Sequence, residues 1–219
     1  MVIGGFPLSQ TEREYLSNRL EIPGMVHLAV DGGLLQYLLM DRVPDMFIGD
    51  LDSVGESVLY WYFRRKSNCI LLKKDKDFLD MEAAIDYLTA THVGSAEVWG
   101  VTGGRMDQTF ACIPLLKKAM KNNLRLTIFS GDEKIGMLDG EREMVFNSGV
   151  GDTWSFIPIE GDVTGVSLKG FQFQLEDKVL KSTETVALSN VSVSKCVSIK
   201  MNKGTIMYFN KTGRREDVE

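Results

Sequence analysis

Three short polar clusters hold most of the residues that could do chemistry in this chain. The first is Gly49-Asp50-Leu51-Asp52-Ser53. Its two carboxylates stand at i and i+2, and they point the same way if the backbone stays extended. Two anions so close repel each other unless a cation sits between them. Mg²⁺ suits that place, because it prefers oxygen ligands and takes one or two carboxylates together with substrate phosphates. The alternative is an Asp turn that caps a helix starting near Gly55. The second cluster, Lys73-Lys74-Asp75-Lys76-Asp77-Phe78-Leu79-Asp80, alternates charges ahead of a helical pattern. Asp77 and Asp80, spaced i and i+3, can share a face of its first turn. Either can cap the helix, and Lys76 either meets a phosphate or belongs to a solvated charge run. The third cluster is Gly103-Gly104-Arg105-Met106-Asp107-Gln108. Paired glycines let a backbone approach a ligand closely, and Arg105 offers a planar donor fork for phosphate oxygens. A plain turn with an Arg–Asp contact is the alternative. No GxxxxGK[ST] loop occurs, so a Walker-type phosphate cradle is excluded.

The elements around these clusters decide whether they can meet. Apolar runs over residues 26–30, 46–48, 69–72, 97–101 and 124–129 read as strands, each closed by a polar turn or followed by a helix. Between them, 34–40, 56–66, 80–91 and 110–120 have helical length. Met81, Ala84, Ile85 and Leu88 mark one helical face. Strand–helix alternation implies a parallel sheet covered by helices. Such sheets place ligands at the carboxyl ends of their strands, and all three clusters fall there. Together they describe a polyphosphate–Mg²⁺ site. From about residue 137 the rhythm changes to short segments rich in Val, Thr and aromatics, separated by Gly, Asn, Asp and Lys turns. Segments 144–146, 153–157, 165–168, 170–175, 191–193, 196–201 and 205–209 read as strands of an all-β domain, a sandwich or small barrel. The expected division is 1–135 and 136–219, with the join near 130–140 and a charged tail, 211–219, that frays.

Composition narrows the classes further. With 219 residues the chain can bury roughly 70% of its unfolded surface, so its core needs no staples. The net charge is −5 and the basic residues are scattered, which argues against a nucleic-acid partner. Arg64-Arg65-Lys66 falls at a helix end, where cations suit the dipole. The longest apolar run, Val58 to Phe63, is far too short to span a bilayer, and no secretory leader is expected. Three dispersed cysteines, Cys69, Cys112 and Cys196, form no CxxC pair. They read as reduced thiols of a cytoplasmic protein.

Taken in order, the clusters resemble the thiamine pyrophosphokinase family. That family carries an ADGG turn, a PDxxxGDxDS segment, a KDxTD helix start, a GGRxDH turn and, in a β-domain, GLxYxL and SN. The corresponding residues are Val30-Asp31-Gly32-Gly33, Pro44-Asp45 with Gly49-Asp50-Leu51-Asp52-Ser53, Lys76-Asp77-Phe78-Leu79-Asp80, and Gly103-Gly104-Arg105-Met106-Asp107-Gln108. Gly170-Phe171-Gln172-Phe173-Gln174-Leu175 and Ser189-Asn190 follow. The match spans nearly the whole chain. The resemblance implies an N-terminal, three-layer α/β domain that binds nucleotide and Mg²⁺, and a C-terminal β-sandwich that binds thiamine and forms a homodimer. It implies transfer of pyrophosphate from ATP to the thiamine hydroxyl, giving thiamine diphosphate and AMP, with thiamine held at the subunit interface. Asp50, Asp52 and Asp80 would hold Mg²⁺. Asp52 or Asp80 would accept the hydroxyl proton, with Asp77 close by. Asp31, Gly32, Lys76, Gly103, Gly104, Arg105, Asp107 and Gln108 would meet the nucleotide, and Ser189 and Asn190 the thiamine.

Several positions depart from the pattern. Gln108 replaces a His, Leu79 a Thr, Leu34-Leu35 an Ala-Asn and Cys112 an Asn. Gln108 can hydrogen-bond but cannot carry a proton. No Trp follows Trp154, so Met207 or Tyr208 stands in for the tryptophan that stacks on thiamine in some relatives. These departures keep two other functions open: a thiamine- or nucleotide-binding protein without catalysis, and a metal-dependent phosphohydrolase.

Overall fold

Apolar runs that end in glycine or aspartate turns become parallel strands in the computed structural model, which describes residues 1–66 and 68–212. The first compact unit covers Met1–Gly131. Its strands are β1 (Val2–Ile3), β2 (Leu28–Val30), β3 (Met46–Gly49), β4 (Cys69–Leu71), β5 (Ser95–Trp99) and β6 (Arg125–Ser130). They lie in the order β6-β5-β1-β2-β3-β4, with every neighbouring pair parallel. Helices α1 (Gln10–Arg19), α2 (Gly33–Leu39), α3 (Glu56–Phe63), α4 (Asp80–Ala90) and α5 (Met106–Lys121) connect them.

Strand pleating sorts the core into two layers. Ile3, Ala29, Phe47 and Trp99 pack with Leu16 of α1, Leu34 and Tyr37 of α2, and Val58 and Tyr62 of α3. Their chain neighbours Val2, Leu28, Val30, Ile48 and Val98 are equally buried. These point to the opposite face, where α4 packs on β2, β3 and α5. The result is the expected three-layer α/β architecture.

Two elements escape the sequence pattern. β1 has two residues, too few for any periodicity, yet it sits between β2 and β5 at the centre of the parallel set. α1 buries only Leu16, so no apolar stripe announces it. Its signal is a capping box. Ser9 Oγ accepts from the Glu12 N–H, and the Glu12 carboxylate accepts from the Ser9 N–H.

The second unit begins at Asp132. Its strands are β7 (Glu133–Asp139), β8 (Arg142–Asn147), β9 (Thr153–Pro158), β10 (Val163–Lys169), β11 (Leu175–Leu180), β12 (Asn190–Val191), β13 (Cys196–Met201) and β14 (Thr205–Lys211). Two antiparallel sets, β12-β9-β14-β7 and β11-β10-β13-β8, face each other. Between them lies an apolar layer from both sets, including Trp154, Phe156, Val166, Leu168, Ile199 and Ile206. This is a sandwich. β7 occupies the segment where only a join was expected. Of residues 170–175, expected as a strand, 170–174 form a bend instead. Gly170 has φ +83°, and a Cβ there would lie 2.7 Å from the Cys196 carbonyl oxygen. Phe171 makes one bridge, to Ser192, and the strand proper starts at Leu175. Of the charged tail, Lys211 ends β14, and residues 213–219 lie outside the described residues. Among the described residues no helix is long and apolar enough to cross a membrane.

Candidate functional site

The turn after β2 and the turn after β3 bring three carboxylates together. Asp31 follows β2 in the left-handed region, φ 55°, and donates its N–H to the Ile48 carbonyl at 2.9 Å. Ser53 Oγ donates a hydrogen bond to Asp31 Oδ1. Asp50 follows Gly49, and the Asp52 N–H donates to Asp50 Oδ1 at 3.2 Å. The backbone between the two aspartates does not stay extended, so the condition for both carboxylates to point the same way by pleating is not met. Leu51 has φ 71°, a left-handed turn that costs a bulky residue about 1–2 kcal/mol. One oxygen each of Asp31, Asp50 and Asp52 lies within 4.8 Å of the others. The expected metal set was Asp50, Asp52 and Asp80. The group that converges contains Asp31, expected at the nucleotide, and Asp80 is linked to it through a lysine.

That lysine is Lys76, on the loop before α4. Its Nζ lies 2.8 Å from Asp50 Oδ2 and 3.3 Å from Asp80 Oδ1. The side chains of Lys76 and Asp50 are 9% and 8% exposed, so this is a buried ion pair. Asp80 Oδ1 is buried without a directed hydrogen bond. Asp77 is exposed and precedes the helix, so it does not share the first turn with Asp80. Leu79, not an aspartate, holds the N-cap position, and its side chain makes no cap bond. Lys74, itself exposed, lies 3.2 Å from Asp52.

The acids titrate in opposite senses. The Lys76 hydrogen bond, above all, holds the Asp50 carboxyl down at about 2. Burial first, then repulsion from Asp80, Asp50 and Asp52, raises Asp31 above its ordinary 3.8. Folding therefore favours ionised Asp50. Its stabilising contribution is present above the ordinary value of 3.8 and is lost as pH falls towards about 2. Asp31 works the other way: its contribution is present below 3.8 and is lost as pH rises through its raised value. Urea unfolding midpoints should fall between pH 4 and pH 2, roughly the window these values set. Asp50→Asn should flatten that fall. An equally steep fall in the variant would refute the assignment.

The third cluster lies beside a cavity of 330 Å³. The cavity opens where Gly4 and Gly5 leave β1, Asp31 and Gly32 leave β2, and Gly100 leaves β5. Ser53 and Asp80 line it too, so the acid group borders it. Of the departures from the family pattern, Leu79, Gln108 and Cys112 line this one cavity, whereas Leu34 and Leu35 do not. Burial pushes the Cys112 thiol up to about 11, so it remains protonated. Gly103 has φ +88° with open space around it. A Cβ on Gly104 would lie 2.0 Å from Phe6 Cε1, so that glycine makes room for a ring. Arg105 is exposed and doubly bonded to Asp107, Nη2–Oδ2 2.5 Å and Nε–Oδ1 3.1 Å. The guanidinium is thus held by its own neighbour. A larger cavity, 490 Å³, lies among Met1, Met25, Glu97 and Arg125 and touches none of the three clusters. The turn after β1 was missed in the sequence. Its signal is repetition: Val2-Ile3-Gly4-Gly5 has the same shape as Val30-Asp31-Gly32-Gly33 and Val101-Thr102-Gly103-Gly104.

In the second unit Ser189 is exposed, with φ 53° and its N–H donated to Ser155 Oγ at 3.0 Å. Asn190 is buried. Its Oδ1 accepts from the Phe173 N–H at 3.0 Å, and its Nδ2 donates to the Phe173 carbonyl at 2.6 Å. The amide is spent on the 170–174 bend and leaves the Phe173 ring 67% exposed. Met207 and Tyr208, the expected stacking residues, are buried. The Tyr208 ring packs against Phe146 and Trp154 in the core, so it does not offer a surface to stack on.

Acids and glycine turns thus gather at the carboxyl edge of a parallel α/β sheet, and a β-sandwich follows in the chain. Two family models match the chain: the thiamin pyrophosphokinase catalytic domain over residues 23–128 and the thiamin pyrophosphokinase vitamin B1 binding domain over 142–206. The chain belongs to the thiamin pyrophosphokinase family. It is 24% identical to the thiamine pyrophosphokinase of Bacillus subtilis over 185 residues, 84% of this chain and 86% of the relative. The crystal structure of thiamine pyrophosphokinase from Bacillus subtilis superposes with a TM-score of 0.86 at 23% identity, covering 97% of this chain and 98% of the other. That of thiamin pyrophosphokinase from Geobacillus thermodenitrificans gives 0.83 at 23%, covering 98% and 97%.

Proposed function

We propose that this chain transfers the β,γ-pyrophosphoryl group of ATP to the hydroxyl of thiamine, giving thiamine diphosphate and AMP. The observation that carries the reading is the convergence of Asp31, Asp50 and Asp52 beside the cavity at the sheet's carboxyl edge. The thiamine oxygen forms a bond to the β-phosphorus as the bond from that phosphorus to the α-phosphate oxygen breaks. AMP leaves with that oxygen. The hydroxyl proton passes to a carboxylate of the acid group, Asp52 or Asp80. The donor set is all carboxylate oxygen, which fits Mg²⁺ better than a softer metal. Asp50 and Asp52 would hold the ion, with Asp31 and Asp80 completing the group. When bound, it supplies neutralisation of phosphate charge.

Lys76, the Gly103 and Gly104 amides, and Arg105 once released from Asp107 would take phosphates. The turn at Asp31-Gly32 lets the nucleotide approach the backbone, and Gln108 contributes an amide at the cavity wall. Ser189 and the Asn190-held Phe173 are the polar and aromatic groups offered to thiamine, Phe173 by stacking. In this reading the enzyme is a cytoplasmic homodimer with thiamine at the subunit interface.

The test is incubation of the full chain with ATP, Mg²⁺ and thiamine, following products by chromatography. AMP and thiamine diphosphate should appear in equal amounts. Phosphate release without thiamine would make the protein a phosphohydrolase. Calorimetric binding of ATP or thiamine without turnover would make it a binding protein. Either result overturns the proposal.

A further inference from the structure

Lys76 differs from every other lysine near the acids in one respect: its ammonium is inside the group. Lys74 approaches Asp52 with a side chain 78% exposed, whereas the Lys76 side chain is 9% exposed and spans Asp50 and Asp80. Four carboxylates, Asp31, Asp50, Asp52 and Asp80, repel one another there. A buried charge needs a partner, and Lys76 is the buried cation that offsets them. The same contact obstructs a metal. A divalent ion held by Asp50 would sit about 2.0–2.1 Å from its oxygens, while Nζ already lies 2.8 Å from Asp50 Oδ2. The two cations would be near neighbours at the Asp50 and Lys76 side chains, which are 8% and 9% exposed, and repulsion between partly buried charges is screened less than between exposed ones.

We propose that Lys76 is a resident counter-ion that a divalent metal must displace from Asp50, and that the displaced ammonium is taken up by a nucleotide phosphate. The inference rests on the metal-binding reading above. Metal alone forces Lys76 out of its pair with nothing to receive it. Nucleotide alone draws Lys76 away and leaves the acids uncompensated. The two together exchange partners: carboxylates to metal, ammonium to phosphate. Metal and nucleotide therefore bind with positive coupling, each raising the affinity for the other by the same factor. The site admits the ion as part of a metal–nucleotide pair and resists it alone.

The test titrates the full chain with Mn²⁺ by calorimetry and electron paramagnetic resonance, with and without α,β-methylene-ATP. Lys76→Met should bind Mn²⁺ alone at least about tenfold more tightly than the parent. The coupling between Mn²⁺ and the analogue should shrink by a similar factor. Lys76→Arg, which keeps the charge, should stay within about threefold of the parent. Mn²⁺ should also raise the melting temperature of Lys76→Met more than that of the parent. If Lys76→Met fails to fold, Lys76→Gln carries the same comparison. Mn²⁺ affinity unchanged or weakened in the neutral variants would overturn the proposal. So would parent protein that binds Mn²⁺ alone as tightly as it does with the analogue present. The double variant Asp50→Asn, Lys76→Met separates the two ideas. It should lose the Mn²⁺ site, and retention there would overturn the metal reading itself.

Discussion

Asp52→Asn should lower kcat by about two to three orders of magnitude, the range seen when one preorganised electrostatic contact is removed from a site. The substitution keeps shape and takes away one charge from the trio with Asp31 and Asp50. Stability should change little. The Asp52 side chain is 42% exposed and its ion pair is with exposed Lys74, a contact worth at most about 1 kcal/mol. Steady-state kinetics beside a thermal melt will separate the two effects. Turnover within a few-fold of the parent would remove Asp52 from the machinery. A collapsed melt would show that its role is structural.

Gly33→Ala should cost more than about 4 kcal/mol or abolish folding, the range kept for severe steric conflict in a core. A Cβ at Gly33 would lie 2.0 Å from the Ile3 carbonyl oxygen and 2.7 Å from its carbon. Neither β1 nor the first turn of α2 can retreat, since β1 is paired on both sides. Gly94→Ala is the matched control. Nothing lies within 4 Å of a Cβ there, and the change should stay within about 0.5 kcal/mol. Comparable loss at both positions would mean that backbone freedom, not close approach, explains Gly33.

The chemistry was legible wherever one segment carried it. Asp50 and Asp52 are two residues apart, and Gly103-Gly104-Arg105 follows a strand. Local spacing was enough to put them at the sheet's carboxyl edge. What escaped depends on contacts between segments. Asp31 joins Asp50 and Asp52 because β2 and β3 are neighbours, a pairing no local window reveals. Local sequence leaves Lys76 open between a phosphate contact and one charge in a solvated run. Only the fold shows its ammonium buried between Asp50 and Asp80. The left-handed Leu51 defied propensity, since a bulky residue seldom adopts that geometry. Asn190 was read as a ligand group, and it closes a bend with both ends of its amide. In the second unit, β11 was missed because its segment Leu175–Leu180 buries only Leu180. Such an edge strand shows no alternation to read.

The two-residue β1 also bears on how the chain acquires its form during synthesis. Ile3 pairs with Ala29 on one side and with Trp99 on the other. The amino end leaves the ribosome first, yet one of its two flanking strands is made nearly a hundred residues later. Until that stretch emerges, the growing polypeptide presents an open, apolar edge. Pairings so distant along the chain are slow to form and exposed to aggregation. The parallel set of this unit can therefore close only after residues 95–99 have been made.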